Sequence, residues 1–153
     1  MRYIDRLIQN CEFAKNSKAF HEFELFQPIE LSKLNEIKKA IYVIEEIEGN
    51  PKETFDKFSH FKQTSERKSA KLNSPSKIIY VGSSTTGVRK RIQQHIGDGH
   101  KSTYSMHLSH WFNGRYKITI KEYDVPKEVL QIIEDDLSDF LKPAFGKQGG
   151  NNK

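Results

Sequence analysis

The stretch Lys77-Ile-Ile-Tyr-Val-Gly-Ser-Ser-Thr-Thr-Gly-Val-Arg-Lys-Arg-Ile-Gln-Gln-His95 constrains the fold most. Ile78, Ile79 and Val81 are β-branched, which suits a short buried strand. Gly82 through Gly87 is small and glycine-rich, which suits a tight turn. The residues after it suit a helix. Val88, Ile92 and Ile96 form an apolar stripe for packing on a sheet, and Arg91 and His95 lie one turn apart beside it. A tyrosine at a strand end, Tyr80, thus points to the same place as an Arg/His pair on the next helix. A phenol, a fixed cation and a titratable imidazole suit chemistry on a polyanion.

The charge balance agrees. The chain has 153 residues, enough for one core, and a net charge of +5. That favours nucleic acid first and an anionic membrane surface second as partners. No apolar run approaches the roughly 18 residues that a membrane span needs, so no spanning segment is expected. The first residues, Met1-Arg-Tyr-Ile-Asp-Arg6, lack an apolar core and carry an acid, so no secretory signal is expected. The single cysteine, Cys11, cannot form an internal disulfide and fits a reducing cytoplasm.

In chain order, residues 3 to about 20 read as an amphipathic helix with Ile4, Leu7, Ile8 and Cys11 on its packed face, Cys11 serving as a small core residue. His21 to Gln27 mixes phenylalanines with acids and reads as a loop or a helix end before Pro28. Ser32 is placed to cap a short helix through Ile37, with Glu36 reaching back. Lys39 to Ile47 is apolar on both faces, so it should be a central strand, ended by Gly49-Asn-Pro51. Residues 52–77 hold seven Lys/Arg against three acids, with Phe55, Phe58 and Phe61 at helical spacing and a basic helical continuation over Ser65–Leu72. Two readings of this segment are compatible: a helix docked through its phenylalanines, and an arm whose Lys68 and Lys71 touch phosphate.

Farther on, Ser102 is placed to cap a helix containing Met106, Leu108, Trp111 and Phe112. His107 and His110 have a spacing that can bind metal, but no cysteine or nearby carboxylate completes a set, so no zinc site is expected. Tyr116, Ile118 and Ile120 alternate with polar residues as a half-buried strand. Lys127–Lys142 reads as a helix packed through Val129, Leu130, Ile133, Leu137, Phe140 and Leu141 and stopped by Pro143. Glu134 falls at the rim of that face, which suits a metal ligand, and Asp136 competes at the other rim. Residues 149–153 read as a flexible tail.

Ala40-Ile41-Tyr42, Tyr80-Val81-Gly82, the pair Arg91 and His95, and Glu134 ahead of Lys142-Pro143 together resemble the GIY-YIG nuclease domain, over roughly residues 39–148. The resemblance implies an α/β (α+β) fold with a small, mainly antiparallel three-stranded sheet flanked by helices. Here that fold would carry an N-terminal helical extension over residues 1–38 and a basic insertion over residues 50–76. It also implies a DNA endonuclease working with one divalent ion, Mg²⁺ or Mn²⁺. Glu134 would hold the ion, Arg91 would pair with phosphate oxygens, and Tyr42, Tyr80 and His95 would line the site, with Tyr42 the favoured tyrosine to orient or deprotonate water and His95 as proton relay. Ser83, Arg89, Lys90, His100, Lys68 and Lys71 would contact the substrate. A site of this kind cuts one strand at a time, so a double-strand break would need a dimer, two nicks or a partner.

The sequence departs from the family at Ala40, which replaces a glycine, in the length of residues 50–76, and at Ser83, where some members carry a lysine. It departs again at Gly146, where an asparagine is common, with Asn151 and Asn152 only beyond it. The alternatives to an endonuclease are an inactive nucleic-acid-binding module of the same fold and a protein adaptor using the phenylalanine stripe.

Overall fold

A computed structural model describes residues 1–148; the expected tail, with Asn151 and Asn152, lies outside the described residues. Four strands form one antiparallel sheet: β1 (His21–Phe26), β2 (Ala40–Ile47), β3 (Ile78–Ser84) and β4 (Arg115–Glu122), in the order β1-β4-β2-β3. Four α-helices accompany it: α1 (Tyr3–Asn16), α2 (Pro51–Thr64), α3 (Val88–Gln93) and α4 (Lys127–Leu141). The fold is therefore mixed α/β as expected, with one more strand than the three anticipated.

The extra strand is β1. Its phenylalanines recur at a spacing of three, which mimics a helix, yet Phe23 and Leu25 turn inward while Glu22 and Glu24 stay exposed. Those acids pair across to β4, Glu24 with Lys117 at 3.3 Å and Glu22 with Lys121 at 3.8 Å. Such charges shield an edge strand from further pairing.

Strand β2 lies between β3 and β4, as its apolar character on both faces requires. Alternation divides it. Ala40, Tyr42 and Ile44 enter the larger core with Phe58 of α2, Val88 and Ile92 of α3, and Ile118 and Ile120 of β4. Ile41 and Val43 face the other side, where Val129 and Leu130 of α4 cover them. Helix α2 is capped by Asn50, whose side chain accepts from the backbone N–H groups of Lys52 and Glu53. It docks through Phe58, whose ring lies 4.4 Å from that of Phe145 and 4.9 Å from that of Trp111. The docked-helix reading of α2 therefore holds.

Several elements differ from expectation. The face of α1 expected to pack is exposed at Ile4, Leu7, Ile8 and Cys11. The helix rests on α4, and its small Ala14 is what joins the core there. Phe140 is 72% exposed, because the last turns of α4 bury Glu134 and Ser138 instead. Ser32 makes no capping bond, and a 3-10 turn over Leu31–Leu34 replaces the short helix. Strand β3 continues through Ser84 into what was expected to be turn.

Ser65–Leu72 is not helical. It bends at Glu66–Arg67 and then bonds outward, the Lys68 N–H donating to the Lys101 carbonyl and that of Ala70 to the Ser105 carbonyl. The helix expected after Ser102 is reduced to a 3-10 turn over Leu108–His110, preceded by His107 in a left-handed conformation at φ 47°. No helix among the described residues is long and apolar enough to cross a membrane.

The insertion is thus part of the main core. Phe58→Ala should destabilise the protein by about 3–5 kcal/mol, read as a lower urea midpoint. A loss below about 1 kcal/mol would mean that α2 is only loosely attached.

Candidate active site

Tyr42 stands in the centre of the sheet, opposite Gly82 of β3. A Cβ on Gly82 would lie 2.5 Å from the Tyr42 hydroxyl oxygen, so a bare backbone there is what allows the phenol to lie flat across the strand. The Tyr80 ring is stacked near-parallel to it at 6.2 Å. Helix α3 continues into a π-type turn over Gln94–Asp98, and this turn carries His95 into the core. His95 is fully buried, 4.3 Å from the Tyr80 ring and 5.5 Å from the Tyr42 ring.

Two hydrogen bonds fix the imidazole. The backbone N–H of Met106 donates to Nδ1 at 3.1 Å, so Nδ1 carries no proton. In the neutral ring the proton therefore sits on Nε2, which donates to the Tyr42 hydroxyl oxygen at 3.0 Å. Burial, and then the charge of Arg91, hold the His95 pKa well below the usual 6.5. A neutral imidazole with Nδ1 occupied and Nε2 already protonated has no lone pair to receive the phenol's proton. This hydrogen-bond arrangement therefore gives His95 no vacant acceptor for that proton. His95 is instead a donor to the phenol oxygen, and the phenol's own hydrogen is left for another acceptor.

Arg91 is held from three sides. Its Nη1 donates to Gln94 Oε1 at 2.9 Å, and its Nη2 donates to the Tyr104 carbonyl at 2.9 Å and, more weakly, to the Tyr80 hydroxyl at 3.5 Å. Burial alone would lower its pKa, but the two phenol oxygens outweigh that and the guanidinium stays charged. Tyr42 is pushed well above its usual 10, chiefly by burial and then by Tyr80; Arg91 opposes this, and the charge of Glu134 adds to it. At neutral pH the phenol is protonated, and Arg91 is the group that most favours its ionisation.

Glu134 is 3% exposed, so it lies inside the protein body rather than at an open rim. Lys147 Nζ contacts its Oε2 at 2.7 Å, and Gln131 Nε2 contacts the same oxygen at 3.4 Å. The competitor Asp136 is exposed. No group of three metal-capable side chains occurs among the described residues, the pair His107 and His110 included. The donors fit a hard cation nevertheless. Mg²⁺ commonly takes one or two protein carboxylates and completes its shell with water and substrate phosphate, and Glu134 is a carboxylate that could provide one such ligand.

The C-terminal segment that carries Lys147 is clamped between two strips of backbone. On one side, Ala144 and Phe145 donate to the carbonyls of Ile78 and Ile79 in β3. On the other, Gly146 N–H donates to the Lys71 carbonyl, and Asn73 N–H donates to that of Ala144. The Asn73 side chain donates to the carbonyls of Gly146 at 2.7 Å and Pro143 at 3.1 Å. Gly146 has φ +86°, and a Cβ there would lie 2.6 Å from the Tyr80 ring. The glycine at this position is required by Tyr80, and the insertion's Asn73 is the amide that ties the segment down.

The expected site residues thus separate into groups. Tyr42, Tyr80, Arg91 and His95 form one contact cluster, and the charge of Glu134 reaches it. Lys71 lines the adjoining cleft of about 430 Å³ with Tyr80, Tyr104 and Lys147. Lys68 sits over the Tyr104 ring at 5.6 Å. Ser83 is half-buried in β3, and Lys90 is exposed on α3. Arg89 bonds Asn35, and His100 bonds Ser102; neither touches the cluster. Lys147, Asn73 and Met106 escaped the sequence reading. Lys147 and Asn73 sit outside any periodic pattern, and Met106 acts through its backbone.

A family model for the GIY-YIG catalytic domain matches residues 40–141. Comparisons with curated proteins and with solved structures gave no significant match.

A nitrogen-15 NMR titration should find His95 as the Nε2–H tautomer, titrating well below 6.5. The unfolded chain binds this proton first as the pH falls, so stability associated with neutral His95 is present above about 6.5 and lost on acidification. Titration at or above 6.5, or an Nδ1–H tautomer, would contradict the arrangement.

Proposed function

The chain belongs to the GIY-YIG catalytic-domain family, a nuclease family, and on that premise we propose that it is an endonuclease hydrolysing DNA phosphodiester bonds with one divalent ion, Mg²⁺ or Mn²⁺. The observation that carries this reading is the convergence of Tyr42, Tyr80, Arg91 and His95 into one cluster within electrostatic reach of Glu134.

Glu134 would hold the ion. When bound, the ion supplies Lewis-acid stabilisation of charge on the phosphate and the leaving oxygen. Arg91 is preorganised by Gln94 and the Tyr104 carbonyl, so it can offer its charge to phosphate oxygens without first being ordered. Tyr42 is the residue we assign to the attacking water. Its hydroxyl hydrogen is not engaged by His95, and any negative charge developing on its oxygen is met by the His95 Nε2–H and by Arg91. Tyr80 contacts both Arg91 and the imidazole and walls the cleft.

Substrate contacts follow the same geometry. Lys71 and Lys68 border the cleft and would meet the backbone of the cut strand, whereas Lys90, on the open face of α3, would meet phosphates farther along. We drop Arg89 and His100 from the innermost contacts, because their partners are Asn35 and Ser102. Residues 39–148 would then be the catalytic unit, with residues 1–38 as an extension and residues 50–76 as an insertion. Each chain offers one such site, so a double-strand break requires two chains or two successive nicks.

Supercoiled plasmid incubated with the protein in Mg²⁺ or Mn²⁺ should become relaxed, and chelator should prevent it. Glu134→Ala should abolish nicking, Arg91→Ala should slow it by about 10²–10³-fold, and Tyr42→Phe should slow it at least about tenfold. Nicking that survives Glu134→Ala would overturn the assigned site. Salt-sensitive binding without product in either ion would make the protein a binding module.

A further inference from the structure

The ammonium of Lys147 touches the Glu134 oxygen Oε2 at 2.7 Å and lies 3.8 Å from Asp135 Oδ1. The pair is nearly enclosed, with the Glu134 side chain 3% exposed and that of Lys147 23%. A carboxylate in such a place needs a counter-cation, and this chain supplies one from its own C-terminal segment. The segment is not loosely placed. Hydrogen bonds to β3 and to the insertion hold residues 144–146 on both sides, and Lys147, next in the chain, both contacts Glu134 and lines the cleft.

A divalent ion on Glu134 would sit about 2.1 Å from a carboxylate oxygen. An ammonium 2.7 Å from Oε2 and a dication bound to either oxygen of the same carboxylate repel each other strongly, so each weakens the other's hold on Glu134. Resting on the reading of Glu134 as the metal carboxylate, we propose that Lys147 is a built-in competitor for the metal. The protein keeps its metal carboxylate neutralised internally, and an incoming ion binds against the charge of the Lys147 ammonium. Metal affinity is then set by a residue that is not a ligand, and through Asn73 and Lys71 it is set in part by the insertion.

The test is Mn²⁺ binding to the DNA-free protein, followed by the electron paramagnetic resonance signal of free Mn²⁺ and, independently, by the rise in Tm on adding Mn²⁺. The proteins are wild type, Lys147→Gln, Lys147→Arg and Glu134→Gln, each checked for a cooperative melt without metal. Lys147→Gln should bind Mn²⁺ about 5–150-fold tighter than wild type and show the larger rise in Tm. Lys147→Arg keeps the competing charge and should stay near wild type, and Glu134→Gln should lose the binding. Equal or weaker binding in Lys147→Gln, with loss in Glu134→Gln, would overturn the competitor role and leave Glu134 as the metal carboxylate. Binding undiminished in Glu134→Gln would overturn that reading and the competitor with it.

Discussion

One backbone hydrogen bond decides the chemistry available to the cluster. The Met106 N–H occupies Nδ1 of His95, and this single contact puts the imidazole proton on Nε2 and aims it at Tyr42. Had residues 102–112 formed the helix that their pattern suggests, this N–H would have been spent on a carbonyl four residues back. Residues 101–106 are not helical, Ser105 bridging to Ser69 instead, and the Met106 amide is left for His95. The irregular loop is therefore what sets the tautomer. With the tautomer set, the phenol of Tyr42 faces a donor and a guanidinium, an environment built to accept negative charge rather than to remove a proton.

The same dependence on backbone appears at the two glycines. Gly82 lets Tyr42 lie across β3, and Gly146 lets Tyr80 lie against the C-terminal segment. Both phenols are held by the absence of a Cβ beneath them, a constraint as restrictive as any hydrogen bond. Gly146 also accounts for a departure from the usual family pattern. Here the amide that steadies the segment after Pro143 comes from Asn73, within the long stretch between the first two family elements. The insertion thus lends one wall to the cleft and one tie to the segment that reaches Glu134.

What could be read from the sequence follows a physical line. Strands β2 and β3, the Arg91/His95 spacing and the course of α4 are written in local periodicity, and they were legible. Strand β1 was not, because an edge strand shows only one apolar face and the spacing of Phe23 and Phe26 within it, with Phe20 just before, imitates a helix. Ser65–Leu72 has helical composition, but the N–H groups of Lys68 and Ala70 are claimed by the carbonyls of Lys101 and Ser105, and Lys71 to Asn73 pair with residues 144–146. The exposure of Cys11 and Phe140 reflects how far α1 and α4 lean on their neighbours, which pattern alone does not encode. The role of Lys147 depends on a contact between residues that no repeat connects, and the tautomer of His95 depends on a main-chain group that carries no sequence signal at all.

The most direct measurement of the central claim is the anomalous scattering of Mn²⁺ in crystals of the wild-type protein bound to duplex DNA. The expected result is a peak about 2.1 Å from a Glu134 carboxylate oxygen, with Arg91 on a phosphate beside it and the Lys147 ammonium moved off Oε2. A peak elsewhere, with Lys147 still paired to Glu134 and the DNA remote from Tyr42, would contradict it.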